Sequence, residues 1–471
     1  MDQSKIVCEG NSCRILETLQ SLGFTINRKK SVLVPCQRIV FFGHVIDTVC
    51  FKVFLTDEKV EKIIKKAGSI LECELVVVRE LASFIGLIVS SFNAILEAPL
   101  HYRELERDKI CGLGSDMNFD NKTVLSILGR QEVIWWFNNV KLKNGKRIRP
   151  VTVSRHCRTD ASFEGYGGID IDNNIHCNGR WSLRELNNSI NYLELLAIFY
   201  SLQAMFAECK DLHIQVQSDN TTAIAYINNF GGMESRDLDN LSKLIWKWCL
   251  DRNVYISAVH VPGRLNSADF YSRNFSDSTE WMLKDDIFQR LCKHTFIPDV
   301  DLFASRLNKR LPRFVSWFPE PGALAVNAFA ISWSNFTPYI FPPFNLIGKV
   351  INKIITDEVD KALVVIPYWF TQSWFPLLLD ILSDFPISIP RHTDLLVLPH
   401  DGQKHPLSKR MKMVGVVLSG KRSKIQDFRK KLQVSYLTHG LKVHVNSTQV
   451  LGVSGVFGII SEVPIHFVPL Q

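Results

Sequence analysis

Residues 159–168 read TDASFEGYGG, and the fold of the middle of the chain is decided around them. The residues from Val151 to Asp160 and from Gly165 to Ile171 have the patterning of two strands. The turn signal Asp172-Asn173-Asn174 then leads to a third strand, which ends at Trp181. The stretch therefore predicts three consecutive strands.

The pattern alternates between helix and strand after this point. An amphipathic helix is predicted over 191–206, a strand over 212–217, two helices over 221–229 and 237–250, and a fifth strand over 254–261. Three strands, a helix, a strand, helices and a strand make a mixed α/β unit. The fold class predicted for the whole chain is therefore α/β and multidomain, with a mixed five-stranded sheet at its centre.

Four acids lie at the edges of these elements. Asp160 ends the first strand, Glu194 lies in the first turn of the first helix, and Asp219 and Asp269 follow the fourth and fifth strands. Carboxylates from separate elements can converge on two divalent cations about 3.5–4 Å apart and so catalyse phosphodiester hydrolysis. Oxygen ligands favour Mg²⁺, or Mn²⁺, over zinc. Taken singly, each acid is also explained as a turn residue, a helix cap or the partner of a surface lysine.

The blocks that carry the acids are TDASFEGYGG, INYLELLAI, SDNTTAIAYI and HVPGRLNSADFYSR. Together, over 151–275, they resemble the successive blocks of a retroelement ribonuclease H domain. The resemblance implies that Asp160, Glu194, Asp219 and Asp269 are catalytic and hold two Mg²⁺ ions. It also implies cleavage of the RNA strand in an RNA–DNA hybrid, a strand that a protein can recognise by its 2′-hydroxyls.

Three polar residues beside the acids are further candidates. His260 resembles the family's auxiliary histidine, which implies a role for it in helping the attacking water or product departure. A strand-end histidine without such a role is the alternative. Asn191 and Asn220 are candidates for contacts with the nucleic-acid backbone or its 2′-hydroxyls, and turn or cap roles are the alternative for both.

The segment before this unit resembles a reverse transcriptase. Residues 22–47 look like the end of the palm, and Phe41, Phe42 and Gly43 resemble its primer grip, which implies a nucleic-acid contact there. The predicted helices within 57–103 resemble the thumb. The sequence has no counterpart of the Tyr-x-Asp-Asp block, whose metal-binding acids polymerisation requires, so we expect no polymerase activity from this chain.

The segment after it, 299–390, resembles the region that follows ribonuclease H in DIRS-group, tyrosine-recombinase retroelements. That region looks like a phage-type adenine-N6 methyltransferase, and the matching blocks are DLFAS at 301–305 and YIFPPF at 339–344. In active members the residue before the two prolines accepts a hydrogen bond from the adenine amino group, which Phe341 cannot do. Phe344 could still stack a base. Methyl transfer is therefore the least favoured function.

The composition describes a globular protein. Hydrophobic residues make up 46% and charged residues 22% of the chain, which excludes a largely disordered or fibrous protein. No apolar run reaches the roughly 20 residues that cross a bilayer, and the first ten residues lack signal-peptide patterning. The 11 cysteines are scattered without metal-site spacing. We expect an intracellular protein, cytoplasmic or nuclear, that is neither secreted nor bound to a membrane.

The net charge of +8 is unevenly distributed, with basic ends and an acidic middle. Basic ends attract a phosphate backbone, although a solvated surface is the commoner explanation of a charge run.

Motifs and composition together divide the chain into five segments. They are a palm and thumb remnant (1–106), a connection or linker (107–150), a ribonuclease H-like domain (151–275), a methyltransferase-like α/β domain (296–395) and a basic C-terminal segment (396–471).

The favoured hypothesis is a retroelement polyprotein fragment whose working part is a Mg²⁺-dependent ribonuclease H. Its partners would be an RNA–DNA hybrid or another nucleic-acid duplex, and other retroelement proteins. The alternative is a folded but catalytically inert nucleic-acid-binding remnant that uses the basic ends and the thumb. Only the first hypothesis predicts turnover of a hybrid.

Overall fold

The computed structural model describes residues 4–148, 152–275, 280–408, 410–432, 455–461 and 463–470. The chain forms two compact units, the first made of Met1–Thr152 and Asn229–Lys243 and the second of Val153–Asn228 and Leu244–Gln471. Within the described ranges, every helix is too short or too polar to span a lipid bilayer. The predicted first strand residue Val151 and residues 433–454 of the predicted basic segment lie outside those ranges.

The first unit combines a small antiparallel sheet with packed helices. Its elements are α1 (Lys5–Ser21), β1 (Arg38–Phe41), β2 (His44–Asp47), β3 (Lys52–Leu55), α2 (Asp57–Glu72), β4 (Val76–Val77), α3 (Val78–Val89), α4 (Arg103–Leu113), β5 (Lys122–Thr123), α5 (Ile127–Asn139) and β6 (Lys146–Arg147). The sheet has the order β1-β2-β3-β6. Helix α2 begins where the hydroxyl of Thr56 accepts a hydrogen bond from the backbone N–H of Lys59, and its buried residues recur every three or four positions.

The linker predicted over 107–150 is wrong for the described part of that stretch. Val133 and Trp136 on helix α5, and Val140 directly after it, lie in the same buried cluster as the apolar faces of α2 and α3. The side chain of Glu132 accepts hydrogen bonds from the backbone N–H groups of Glu104, at 3.0 Å, and Leu105, at 3.2 Å. A segment that fills the core and ties down the start of α4 is part of the unit.

Residues 229–243 also belong to the first unit, although the prediction assigned them to the domain at 151–275. The Arg103 guanidinium donates to the backbone carbonyls of Asn229, at 2.7 Å, and Phe230, at 2.8 Å. Asp239, which is fully buried, accepts from Arg107 and lies 3.3 Å from the ammonium of Lys243. Buried charges are tolerated when they are paired, and this network supplies the pairing.

The second unit begins with the mixed five-stranded sheet that the sequence predicts. Its first elements are β7 (Arg155–Ala161), β8 (Gly165–Asp170), β9 (Ile175–Arg180), α6 (Ile190–Met205), β10 (His213–Ser218), α7 (Thr221–Asn228), β11 (Tyr255–His260) and α9 (Ala268–Arg273). Helix α8 (Arg236–Leu250) is divided between the units, since its residues up to Lys243 belong to the first unit and those from Leu244 to the second. The strand order is β11-β10-β7-β8-β9. Strands β7, β8 and β9 pair antiparallel, whereas β10 and β11 run parallel to β7.

A second sheet of six strands follows in the same unit, in the order β13-β16-β17-β20-β18-β23. The elements are β12 (Met282–Leu283), α10 (Asp285–His294), β13 (Val300–Asp301), β14 (Val315–Ser316), β15 (Ala325–Val326), β16 (Pro338–Ile340), α11 (Ile347–Thr356), β17 (Ala362–Pro367), α12 (Phe375–Asp380), β18 (Ile387–Ser388), β19 (Leu396–Val397), β20 (Met413–Leu418), β21 (Val456–Ile460), β22 (Val463–His466) and β23 (Val468–Pro469). All six residues of β17 are buried, as expected of a central strand covered on both faces.

The predicted boundary between 395 and 396 is wrong, because it cuts through this sheet. Strand β20 pairs antiparallel with β17 along its whole length, and β23 pairs with β18. Phe457, Ile465 and Phe467 lie in the same buried cluster as β17. The described residues beyond 396 therefore complete the second sheet and do not form a separate segment.

Gly167 allows α9 to lie directly on the five-stranded sheet. It stands opposite Asp160 in the β7–β8 register, so the two residues share a face of the sheet. A Cβ at Gly167 would lie 2.6 Å from both the carbonyl oxygen of Ala268 and the backbone nitrogen of Ser272. Because both neighbours are backbone atoms, only a glycine fits under α9 at this point.

We expect Gly167→Ala to destabilise the protein by about 1–3 kcal/mol, the usual range for overpacking a well-packed site. Urea unfolding followed by fluorescence measures the change. The matched control is Gly348→Ala on α11, where the nearest atom to the new Cβ is 3.8 Å away. The control should be neutral or slightly stabilising, and equal losses in the two variants would contradict the packing argument.

Candidate metal centre

The fold brings three of the four predicted acids together. Asp160 lies near the end of β7, Asp219 directly follows β10, and Glu194 is carried by α6, which packs against β7. Because β7 and β10 are parallel neighbours, their carboxyl ends meet at one edge of the sheet. Ligand oxygens of the three carboxylates lie within 4.8 Å of one another.

Asp160 is held in place by two residues that the sequence reasoning did not select. The Ser272 hydroxyl donates to its Oδ2 at 2.5 Å, and the Asn266 side-chain amide donates to its Oδ1 at 3.2 Å. Both donors belong to the HVPGRLNSADFYSR block. Their closeness in sequence to Asp269 was the available signal that they lie near the acids. These bonds fix the carboxylate without neutralising it.

Glu194 is the least compensated of the acids. Helix α6 begins at Ile190, after the Ser189 cap, so Glu194 lies in the second turn and not in the first turn as predicted. Its side chain is 5% exposed, and Oε2 has no hydrogen-bond partner among the described residues. Burial, followed by the charges of Asp160 and Asp219, raises the pKa of Glu194 to about 9.

The cluster as a whole is short of positive charge. Burial, and then the charges of Asp219 and Asp269, raise the pKa of Asp160 to about 6. Like charges this close disfavour ionisation, and a divalent cation reverses that preference. The donors are all carboxylate oxygens, which suit hard cations such as Mg²⁺ or Mn²⁺. Asp160, Glu194 and Asp219 therefore fit a divalent metal.

Asp269, the fourth predicted acid, lies outside this group. It is carried by α9, is about half exposed, and its Oδ1 accepts a hydrogen bond from Arg273 Nε at 2.9 Å. Its charge nevertheless contributes to the raised pKa of Asp160. The structure thus places Asp269 beside the cluster, with its carboxylate engaged by an arginine one helical turn away.

The remaining candidates line the same edge of the sheet. His260 ends β11, is exposed, and is the register partner of Ser218, the residue before Asp219. The Asn220 amide donates to the side-chain oxygen of Asn191 at 2.9 Å. Asn220 also accepts from the backbone N–H of Ala223 at 2.9 Å, so it caps α7, which was the alternative explanation. Nucleic-acid contacts of both asparagines stay predictions.

The primer-grip candidates belong to the first unit, at the tip of the β1–β2 hairpin. The Phe42 side chain is 84% exposed and that of Phe41 is 56% exposed. Phe42 and Gly43 both have positive φ, 47° and 73°, which forms the tight turn. Two exposed rings on a hairpin are available to a partner, and their contact with nucleic acid stays a prediction.

Comparisons with known proteins give structural neighbours only. No family model and no curated protein matches the chain. A foamy viral protease–reverse transcriptase in complex with double-stranded DNA is 15% identical over 54% of this chain and 44% of that one, with a TM-score of 0.26. A foamy viral protease–reverse transcriptase in complex with an RNA/DNA hybrid, without the dRH designation of the first neighbour, is 14% identical over 59% of this chain and 36% of that one, also with a TM-score of 0.26.

A ribonuclease H1 from the halophilic archaeon Halobacterium salinarum NRC-1 is 18% identical over 25% of this chain and 92% of that one, with a TM-score of 0.21. The chain spans less than half the length of the viral enzymes. Because identities are below 20% and TM-scores below 0.5, the function has to be inferred from the geometry of this chain's own residues.

We expect Glu194→Gln to stabilise the metal-free protein, by about 1–3 kcal/mol at neutral pH, because the wild-type carboxyl has to take up a proton on folding and the amide does not. A raised folded-state pKa means that the wild-type chain loses stability as the pH rises from about 4.5 towards about 9, and the variant should not. Thermal unfolding in EDTA across this pH range measures the difference.

Adding Mg²⁺ or Mn²⁺ should raise the melting temperature of the wild type and leave that of Glu194→Gln nearly unchanged. The control is Glu208→Gln, an exposed acid just after α6, which should behave as the wild type does. A metal response that survives in Glu194→Gln would remove this residue from the metal site.

Proposed function

We propose that the chain is a metal-dependent ribonuclease H that hydrolyses the RNA strand of RNA–DNA hybrids. The observation that supports this is the convergence of Asp160, Glu194 and Asp219, from three separate elements, with one buried carboxylate oxygen unpaired. A buried acid without a partner is costly, and a site that binds cations accounts for it.

Each residue at the site has a distinct task in this proposal. Asp160, Glu194 and Asp219 would hold the cations, and Ser272 and Asn266 orient Asp160. Bound Mg²⁺ would supply the activated water nucleophile and would stabilise the leaving 3′ oxygen.

Asp269 and His260 act at the rim of the site. Asp269, half exposed on α9, would join the metal-binding set when substrate arrives and its bond to Arg273 is exchanged. His260, exposed at the end of β11, would help the attacking water or the departure of product.

Substrate selection would depend on features beside the carboxylates. The linked amides of Asn191 and Asn220 stand at the same sheet edge and offer hydrogen bonds to a 2′-hydroxyl, the group that distinguishes RNA from DNA. In the first unit, the exposed rings of Phe41 and Phe42 would contact the duplex.

The wider context of the activity is also a proposal. The chain would be part of a DIRS-group retroelement polyprotein that acts inside the cell with other proteins of the element, and Mg²⁺ would be the physiological metal. Polymerase activity is not expected from this chain alone, since its sequence has no Tyr-x-Asp-Asp acids. Methyl transfer is not expected either, because Phe341 offers no acceptor for an adenine amino group.

A catalytically inert nucleic-acid-binding remnant is the second candidate. One observation favours it: Asp269 is engaged by Arg273 and stands apart from the other three acids. Such a protein would bind duplexes in a salt-sensitive manner and would not turn them over.

We expect Asp219→Asn to lower the rate of hybrid cleavage by about 100-fold or more, because the metal contributes several kcal/mol to the transition state. The assay uses a labelled RNA–DNA hybrid with Mg²⁺, and Ca²⁺ or EDTA should give no product. Asp251→Asn, at an exposed acid that precedes β11 and so lies at the opposite end of that strand from His260, is the control and should cleave normally. Cleavage that survives Asp219→Asn, or wild-type binding without cleavage, would reject the proposal.

Asp269→Asn should cost less than Asp219→Asn, about 10–100-fold in rate, because Asp269 stands beside the cluster and not within it. Arg273→Gln, which frees the Asp269 carboxylate, should retain most of the activity. Cleavage rates measured at several Mg²⁺ concentrations show whether Asp269→Asn and Arg273→Gln differ in activity. If Asp269→Asn has wild-type rates throughout, Asp269 has no part in the reaction.

A further inference from the structure

The loop between β11 and α9, residues 261–267, contacts the metal site although most of its side chains are exposed. Leu265 is 60% exposed, whereas Asn266 is 4% exposed. The Asn266 amide donates to the backbone carbonyl of Thr159, at 3.0 Å, and to Asp160 Oδ1, at 3.2 Å. One buried side chain of an otherwise exposed loop thus reaches a carboxylate of the metal site.

The same loop lies next to two further acids. A Cβ at Gly263 would lie 2.9 Å from Asp219 Oδ2, so the backbone passes directly beside that carboxylate. Asp269 follows the loop on α9, and its backbone N–H donates to the carbonyl of Asn266 at 3.1 Å. A displacement of the loop would therefore change the surroundings of Asp160, Asp219 and Asp269 together.

Arg158 holds this loop against the sheet. It lies on β7, two residues before Asp160. Its Nη1 donates to the backbone carbonyl of Leu265 and to the hydroxyl of Ser267, both at 3.1 Å. These residues immediately precede and follow Asn266. The guanidinium therefore fixes the chain on both sides of the side chain that contacts Asp160.

Gln217 sets the orientation of this guanidinium. It lies on β10 as the register partner of Arg158, and its Oε1 accepts from Arg158 Nε at 3.1 Å and from Nη2 at 2.8 Å. Because a guanidinium is planar, holding it along one edge directs the remaining Nη1 towards the loop. A lysine ammonium is a single charged point and cannot occupy both edges at once. The arrangement therefore requires arginine.

We propose that Arg158 is a positioning residue of the metal site, which acts through Asn266 on Asp160 and so sets the affinity for the metal. An effect on turnover follows as well, and that part alone rests on the proposed function. Partners that orient a metal ligand typically contribute about 10–100-fold to metal affinity or activity. The four hydrogen bonds of Arg158 go to uncharged oxygens, so they depend on the shape of the guanidinium more than on its charge.

Titration with Mn²⁺, followed by electron paramagnetic resonance without nucleic acid, tests the proposal. Arg158→Lys keeps the charge and loses the planar fork, and it should bind Mn²⁺ about tenfold more weakly than the wild type. Arg158→Gln should lose at least as much. The Asp219→Asn protein gives the signal of Mn²⁺ bound elsewhere. Wild-type affinity in Arg158→Lys would show that only the charge matters and would overturn the proposal.

Arg252→Lys is the matched control. The Arg252 side chain also donates to two backbone carbonyls, those of Ala207 and Trp248, both at 3.2 Å, but it precedes β11, at the end of that strand remote from the loop. It should bind Mn²⁺ as the wild type does, and an equal loss in this variant would overturn the proposal.

Urea unfolding in EDTA shows whether the variants fold. Should Arg158→Lys be unfolded, Ser267→Ala gives a milder test, because it removes one of the four bonds at an exposed residue. It should weaken Mn²⁺ binding about two- to threefold, the smaller end of the contribution of one hydrogen bond. Unchanged affinity in Ser267→Ala would then overturn the proposal.

The route through Asn266 is tested with a double variant. Asn266→Ala should itself weaken Mn²⁺ binding about tenfold, and adding Arg158→Lys should cause little further loss, because residues that act in one network are not additive. Losses that multiply would show that Arg158 does not act through Asn266.

Kinetics with a labelled RNA–DNA hybrid test the effect on turnover. Arg158→Lys should lower kcat about tenfold and leave KM for the hybrid nearly unchanged, because the bonds of Arg158 are made within the protein. A raised KM with unchanged kcat would overturn this part. A wild-type protein that binds Mn²⁺ but cleaves no hybrid would reject the proposed function and leave the effect of Arg158 on metal affinity standing.

Discussion

The arrangement of the centre of this protein depends on one unfavourable interaction: three carboxylates held together in a place with little water. Glu194 is surrounded by its apolar helix neighbours and has an oxygen without a partner. In a protein without cations this costs folding free energy, because burial and like charge both oppose ionisation. Such a cost is retained where a ligand reverses it, and at these oxygens a hard divalent cation does so.

The rest of the second unit positions these charges. Parallel pairing of β7 and β10 brings Asp160 and Asp219 to the same edge. Because Gly167 has no side chain, α9 lies close enough to the sheet for the Ser272 hydroxyl to donate to Asp160. Gly263 does the same for the loop after β11, since a Cβ there would lie 2.9 Å from Asp219 Oδ2. At both places, the backbone lies close to a residue of the metal site or to the sheet that carries it because the sequence has glycine there.

The sequence predicted the five-stranded sheet and the acids that meet at its edge, because local patterning sets strands and parallel pairing then sets which ends converge. It did not predict that Arg273 would engage Asp269, although the spacing of four residues within a helix was an available signal. It missed α5 because Ile134 and Phe137 place apolar side chains on the exposed face of the helix as well, which hides its 3.6-residue period. It separated β20 from β17 because pairing over some 50 residues leaves no local signal.

That long-range pairing has a consequence for how the chain reaches its native state. Strand β17 is buried on both faces, and its edge opposite β16 pairs with β20. During synthesis on the ribosome, the backbone of β17 is exposed until residues 413–418 emerge. An uncovered apolar edge strand is a template for aggregation. The residues of the metal site are thus all synthesised well before the strand that protects their unit from aggregation.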